Sequence, residues 1–291
     1  MRTIRARCDC AAWFVVLVVS LPVIAAAQGI NTNVALPVAQ GEGIWRSQLR
    51  AAVATDDPTL MRRERRTLAA IQTWIIGVTP RLSAFARLPL LARRRSEEGG
   101  SSRRDAQAFG DVTLLGRYMV FVDDYAPLST RRIAVLGGIK LPTGADRFGT
   151  PSYDPILGAV STWAANRHEL DVDVLYTITT ERHDFEAGDL VRYDVAYRYR
   201  LWPKRFRERL IQLNGILELN GSWMGRTEED GEVDRHSGGH VLFIAPGLQL
   251  VSNRWILEAS LQVPLVQDLR GPQLETDLVG VLSVRIPFSL D

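Results

Sequence analysis

Past residue 27 the chain has no cysteine, because both of its cysteines, Cys8 and Cys10, lie before that point. If that leader is removed, the mature protein has no disulfide, no thiolate metal site and no thiol nucleophile. No cysteine stands at the expected cleavage point either, which excludes a lipid-modified N-terminus there. Long apolar runs are missing too: the stretch Ala11 to Val19 is short, and nothing later approaches the ~20 apolar residues of a membrane-spanning helix. An excess of basic charge is also lacking. The formal net charge of +2 owes much to the leader; without Arg2, Arg5, Arg7 and Asp9, 32 basic and 32 acidic residues remain. A balanced chain offers no electrostatic footprint for nucleic acid, so none is expected as a partner. Histidines number four, and no nucleotide-binding loop or cofactor motif is visible, so no cofactor is expected.

The first 27 residues carry the marks of a cleavable export signal: Arg2, Arg5 and Arg7, then an apolar run, then Ala25-Ala26-Ala27 before Gln28. Residues 28–43 read as an N-terminal periplasmic segment and 44–291 as one β domain. In that domain, D-L-V-R-Y-D-V-A-Y-R-Y-R-L at 189–201 sets the pattern. Val191, Tyr193, Val195, Tyr197, Tyr199 and Leu201 share one face; Arg192, Asp194, Ala196, Arg198 and Arg200 share the other. Successive strand side chains point to opposite faces, so this ribbon is greasy on one side and charged on the other. The same alternation recurs from Leu170 to Ile178, Ile211 to Leu219, Trp255 to Leu265 and Leu274 to Phe288. Behind an export signal it predicts an all-β, antiparallel, up-and-down transmembrane barrel in the outer membrane of a Gram-negative cell, lipid outside and water inside.

Twelve strands are predicted: 44–54, 67–77, 81–92, 109–121, 131–141, 155–165, 168–180, 189–201, 208–222, 239–251, 254–266 and 274–288. The connections alternate long and short, as the outer loops and periplasmic turns of such barrels do. The segment 122–130 is long for a turn. Leu60 to Gln72, rich in Arg, Ala, Leu and Glu, also reads as helix. The tenth strand is apolar on both faces and contains Pro246. It would suit a stretch packed against an internal plug, or an ordinary buried strand. Trp45, Trp223, Trp255, Tyr118 and Tyr176 are candidates for aromatic girdles at the membrane interfaces.

Three turn segments resemble those of one family. Gly137-Gly138-Ile139-Lys140 runs into the turn Leu141-Pro142-Thr143-Gly144; Ile76-Gly77-Val78-Thr79-Pro80-Arg81-Leu82 forms a hairpin turn; Phe109-Gly110-Asp111-Val112 opens a strand. Together they are similar to the signature of the putative MetA-pathway of phenol degradation family, outer-membrane barrels of transporter type. Ile76 stands where the family carries an aromatic. The chain ends Phe288-Ser289-Leu290-Asp291 rather than on an aromatic, a departure from the usual signal to the barrel assembly machinery, which is an expected partner. The resemblance implies a barrel of this size and passage of small, often hydrophobic or aromatic molecules.

Inward charges are the candidate lumen lining: Asp171, Asp173, Arg192, Asp194, Arg198, Arg200 and Glu218. A charge facing lipid costs ~2–4 kcal/mol near the midplane, so these must point inward. Opposite signs on neighbouring strands predict cross-strand pairing as their main role, with pore selectivity as the alternative. No metal site is expected; His236 and His240 are four apart, but Ser237-Gly238-Gly239 between them indicates a loop. His236-Ser237 and Ser222 are the only candidates for a barrel lipid hydrolase, and neither sits in a nucleophile motif. The expectation is a non-enzymatic barrel for passive passage of a small-molecule permeant, surrounded by outer-membrane lipid. The alternative is a structural or interaction barrel with a closed lumen.

Overall fold

The computed structural model describes residues 29–55, 63–97, 104–145, 148–204 and 211–290. The expected export signal with Cys8 and Cys10, and residues 99–102, lie outside them. Long strands form where apolar and polar residues alternate. They are β1 (Glu42–Ala54), β2 (Arg63–Gly77), β3 (Leu82–Glu97), β4 (Arg104–Phe109), β5 (Thr113–Ala126), β6 (Ser129–Lys140), β7 (Asp154–Ala165) and β8 (His168–Thr177). After a two-residue β9 (Phe185–Glu186) come β10 (Leu190–Trp202), β11 (Ile211–Met224), the short β12 (Glu228–Glu229) and β13 (Glu232–Val233), then β14 (Gly239–Ser252), β15 (Ile256–Leu269) and β16 (Leu278–Ser289).

Each long strand pairs antiparallel with its chain neighbour, and β1 pairs with β16 from Glu42↔Ser289 to Val53↔Leu278, which closes the cylinder. β4 and β5 are two pieces of one wall strand, both paired to β3, so the wall has twelve staves. The break between them has a local cause. Pro89 of β3 has no N–H to give, and its carbonyl instead accepts from Gly110 at 2.9 Å. Closure leaves no strand edge unpaired in hydrocarbon, the condition for a sheet to span a membrane.

The predicted stave positions match with small shifts in their ends. Residues 93–108, expected as loop, are mostly strand, since β3 continues to Glu97 and β4 starts at Arg104. Within Leu60 to Gln72 the described residues are strand, not helix: from Arg63 onward β2 is held by both β1 and β3, and tertiary pairing overrides the helical composition. The long-looking 122–130 is a tight turn, with Leu128 at φ 58° and the flanking strands bulged. Short connections all lie at the end that holds Glu42 and Ser289, which is the periplasmic end in barrels of this kind. At the other end β9, β12 and β13 tie two outer loops into a small sheet.

Leu49, Val172, Val174, Leu217, Leu248, Leu257, Leu261 and Leu282 form an exposed apolar belt around the outside. Such a continuous surface marks a hydrocarbon contact. Trp45 and Trp74 face each other near the periplasmic end, as cross-strand partners, with Trp163 and Trp255 at the same end. Trp223 and Tyr176 lie near the outer end. Tyr118 pairs with Leu82 at the start of β3.

Leu282 is 60 % exposed and pairs with Leu49 in the middle of β1. A Leu282→Arg change is expected to lower unfolding free energy in lipid vesicles by about 2–4 kcal/mol. Urea titration that finds a cost below about 0.5 kcal/mol would mean that this face does not meet lipid.

Candidate functional site

The lumen is not an empty tube. Residues 29–38, expected as part of a periplasmic segment, run across the barrel interior instead. Gly29, Ile30, Thr32, Val34, Ala35 and Val38 are buried there. The segment has no regular structure of its own, so each backbone group needs a partner from the wall.

Those partners are charged and polar side chains of seven staves. Arg285 donates to the Gly29 carbonyl at 2.7 Å, and Arg46 and Gln48 donate to the Ile30 carbonyl. Glu218 accepts from the Asn31 amide at 3.0 Å, the Thr32 amide at 3.2 Å and the Thr32 hydroxyl at 3.0 Å. Asp173 accepts from the Asn33 amide. Arg117 donates to the Val34 carbonyl at 2.7 Å, and Thr162 Oγ1 accepts from the Ala35 amide at 2.9 Å. Ser83 Oγ accepts from the Val38 amide at 3.2 Å. Asn31 Oδ1 also accepts from Arg50 at 3.0 Å.

Three apolar side chains anchor the same segment. Ile30 packs with Ile216, Val279 and Val281; Ala35 joins Met119, Ala134, Leu136, Ile156, Val160 and Leu175; Val38 joins Ile44 and Ile75. All these wall residues point inward, so parts of the lumen are as apolar as a soluble core. Gly247 of β14 leaves the room Ile30 needs: a Cβ there would come within 2.6 Å of Ile30 Cδ1. On this strand the plug meets Gly247, while Val251 packs on Ile256 of β15.

The seven lumen candidates all project from the inner faces of β8, β10 and β11, but their partners differ from expectation. Arg198 makes the predicted kind of cross-strand ion pair, and its partner is Glu169. Asp173 and Glu218 serve the plug. Asp171 accepts from Thr162 at 2.6 Å, and Asp194 accepts from Asn220 at 2.8 Å. Arg200 donates to the Asn166 carbonyl near the periplasmic end. Arg192 faces the lumen beside Asp173 and Asp194 without forming a salt bridge to either. Asp173 and Glu218 are taken up by plug amides that would otherwise be buried without a partner, so these two acids form no rung of a simple ladder.

Sequence reasoning missed the residues on the opposite wall. Glu258 pairs with Arg285 at 2.9 Å and with Arg46 at 3.5 Å, and both arginines hold plug carbonyls. Asn214, Gln249 and Glu258 continue this as a buried chain of hydrogen bonds at 2.9 and 2.8 Å. The turn motif has a separate task. Asp111 accepts from the Gly144 amide and from the Thr150 amide, each at 2.8 Å, while Val112 donates to Thr143 Oγ1 at 2.8 Å. Lys140 bridges Asp111 and Asp154. Leu141-Pro142-Thr143-Gly144 is thus clamped onto the break between β4 and β5. A Cβ at Gly144 would lie 2.9 Å from Asp111 Oδ1, so the clamp needs glycine there.

The histidines are engaged elsewhere. His240 meets the Tyr193 hydroxyl and His168 the Tyr197 hydroxyl, each at 2.6 Å. Ser237 Oγ donates to the Asp234 carbonyl and accepts from the Thr227 amide, an arrangement that holds a loop.

Glu218→Ala would remove the carboxylate that accepts from four donors of the plug, the Asn31 and Thr32 amides, the Asn31 side-chain amide and the Thr32 hydroxyl. Each buried unsatisfied group costs about 1–3 kcal/mol, so the plug is expected to loosen and single-channel conductance to rise at least severalfold. Bilayer recordings identical to those of the unaltered protein would show that Glu218 does not hold the lumen closed.

The comparisons agree with this architecture. The family model described as "Putative MetA-pathway of phenol degradation" matches residues 62–263. A COG4313 outer membrane channel from Pseudomonas putida F1 superposes with a TM-score of 0.67 at 14 % identity, over 87 % of this chain and 98 % of that one. The β domain of the Bordetella autotransporter BrkA superposes with a TM-score of 0.50 at 10 % identity, over 86 % of this chain and 100 % of that one. At these identities the likeness is one of fold. No curated protein matches the sequence.

Proposed function

The chain belongs to the family described as "Putative MetA-pathway of phenol degradation", and from that premise we propose that it is a passive, non-enzymatic uptake channel for small molecules of hydrophobic or aromatic character. It acts from the outer membrane after export by a cleaved signal, and the barrel assembly machinery inserts it. The observation that carries the reading is the plug. A segment with no ladder of its own, held largely by polar side chains and three apolar anchors, can shift aside as a unit. Each of its hydrogen bonds can be exchanged for one to water when the lumen is wet. Apolar inward patches beside Ile30, Ala35 and Val38 offer surface to an apolar permeant in the same space.

The plug also favours the second reading, a structural barrel with a permanently closed lumen. Removing residues 29–38 separates the two. A channel gains conductance in planar bilayers and swells liposomes faster with small solutes. A plug-deleted barrel that shifts normally on a heat-modifiability gel and yet conducts nothing would overturn the channel reading.

A further inference from the structure

The lumen charges of β8, β10 and β11 are mixed in sign, with Arg192, Arg198 and Arg200 among the acids. The acids Asp173, Asp194 and Glu218 lie on β8, β10 and β11, where they face the plug or one another's neighbours. The inner faces of β2 and β3 are basic instead. Register places Arg65 directly opposite Arg95, and Thr67 opposite Arg93, on the side that faces the lumen toward the outer mouth. Deeper on β3, Arg87 lies opposite Thr73, a buried inward residue.

Among the described residues Arg65, Arg87, Arg93 and Arg95 form no salt bridge, although Asp173 lies near Arg87. Like charges directly opposite one another destabilise a strand pair, and Arg65 and Arg95 are so placed. Arg93 feels the charges of both Arg65 and Arg95. Its guanidinium lies 5.0 Å from the Phe148 ring centre, and its Nε is buried without a hydrogen-bond partner. On the outward face of β2, by contrast, Arg66 pairs with Glu64 at 2.5 Å. Further in, Arg87 lies among Arg192 from across the lumen, Arg50 and the acid Asp173. Among the described residues the guanidinium groups of Arg87 and Arg192 make no hydrogen bond. Arg50 reaches Asn31 of the plug, so the series leads from the mouth to the plug.

Apolar residues are interleaved with this charge. Pro89 and Leu91 occupy the inner face of β3 between Arg87 and Arg93, and both approach Gly110 at the wall break. A ligand that suits the surface needs a negative head for the guanidinium groups and an apolar body for Pro89, Leu91 and Phe148. A planar carboxylate fits a guanidinium fork best.

We propose that the inner faces of β2 and β3 form an anion-capturing stair, and that the molecules this barrel takes up are small organic carboxylates with an apolar body. This rests on the uptake reading above and narrows its substrate class.

Binding, not conduction, tests it. The full-length protein in detergent is titrated with 4-fluorobenzoate and with uncharged 4-fluorobenzamide, followed by fluorine NMR line broadening. The benzoate is expected to bind at least tenfold more tightly. Arg87→Gln with Arg93→Gln is expected to abolish that preference, and the matching pair of lysine changes, which keep the charge without the fork, to restore only part of it. Equal binding of the two probes by the unaltered protein overturns the proposal, and so does a preference that survives both glutamine changes. The comparison of probes on the unaltered protein needs no variant to fold. Preserved carboxylate preference in a barrel that conducts nothing would count against the channel reading alone.

Discussion

A backbone amide inside a barrel must find a partner in the wall, and the whole interior is arranged by that demand. The strands satisfy it for themselves by closing on one another through β1 and β16. Residues 29–38 cannot, since they form no ladder over that length. Their carbonyls are met by Arg46, Arg117 and Arg285, and their amides by Asp173, Glu218, Thr162 and Ser83. Buried charges are tolerated in proteins when paired and hydrogen-bonded. Here the pairing partner is a stretch of main chain, with positive side chains on its carbonyls and negative ones on its amides.

This division of labour leaves two kinds of interior. Around the plug, acids and arginines are consumed by backbone groups, and Ile30, Ala35 and Val38 fill the apolar gaps between them. Toward the outer mouth, β2 and β3 retain arginines whose neighbours are other arginines. The outer surface is simpler. It is a belt of leucine and valine with tryptophans toward either end, and it asks only for hydrocarbon. The clamp of Asp111, Lys140 and Gly144 sits where the wall is interrupted by Pro89, and it fastens the outer loop to the strand that the proline broke.

Much of the barrel could be read from residues alone, because a period of two is local. Val172, Val174 and Tyr176 alternate with Asp171 and Asp173 within a single strand, and the alternation fixes which face meets lipid. The plug could not be read in the same way. Asn31 lies 187 positions from Glu218, and nothing in its own neighbourhood announces the contact. Two signals did exist. Inward positions such as Leu136, Ile156, Val160 and Val281 are apolar, which a water-filled lumen does not require. Acids on β8 and β11 outnumber the arginines able to reach them. Both point to something else occupying the interior. The clamp was legible as a turn motif, but Asp111 as its centre was not, since the amides it binds come from residues more than thirty positions away.

Hydrogen exchange at the amides of Asn31, Thr32, Asn33 and Ala35, measured on the unaltered protein in lipid, bears most directly on a lumen locked by its own N-terminal segment. Exchange slowed by several orders of magnitude relative to an unstructured peptide is the predicted result. Exchange at the unstructured rate for these four amides, while the strand amides stay protected, would contradict it.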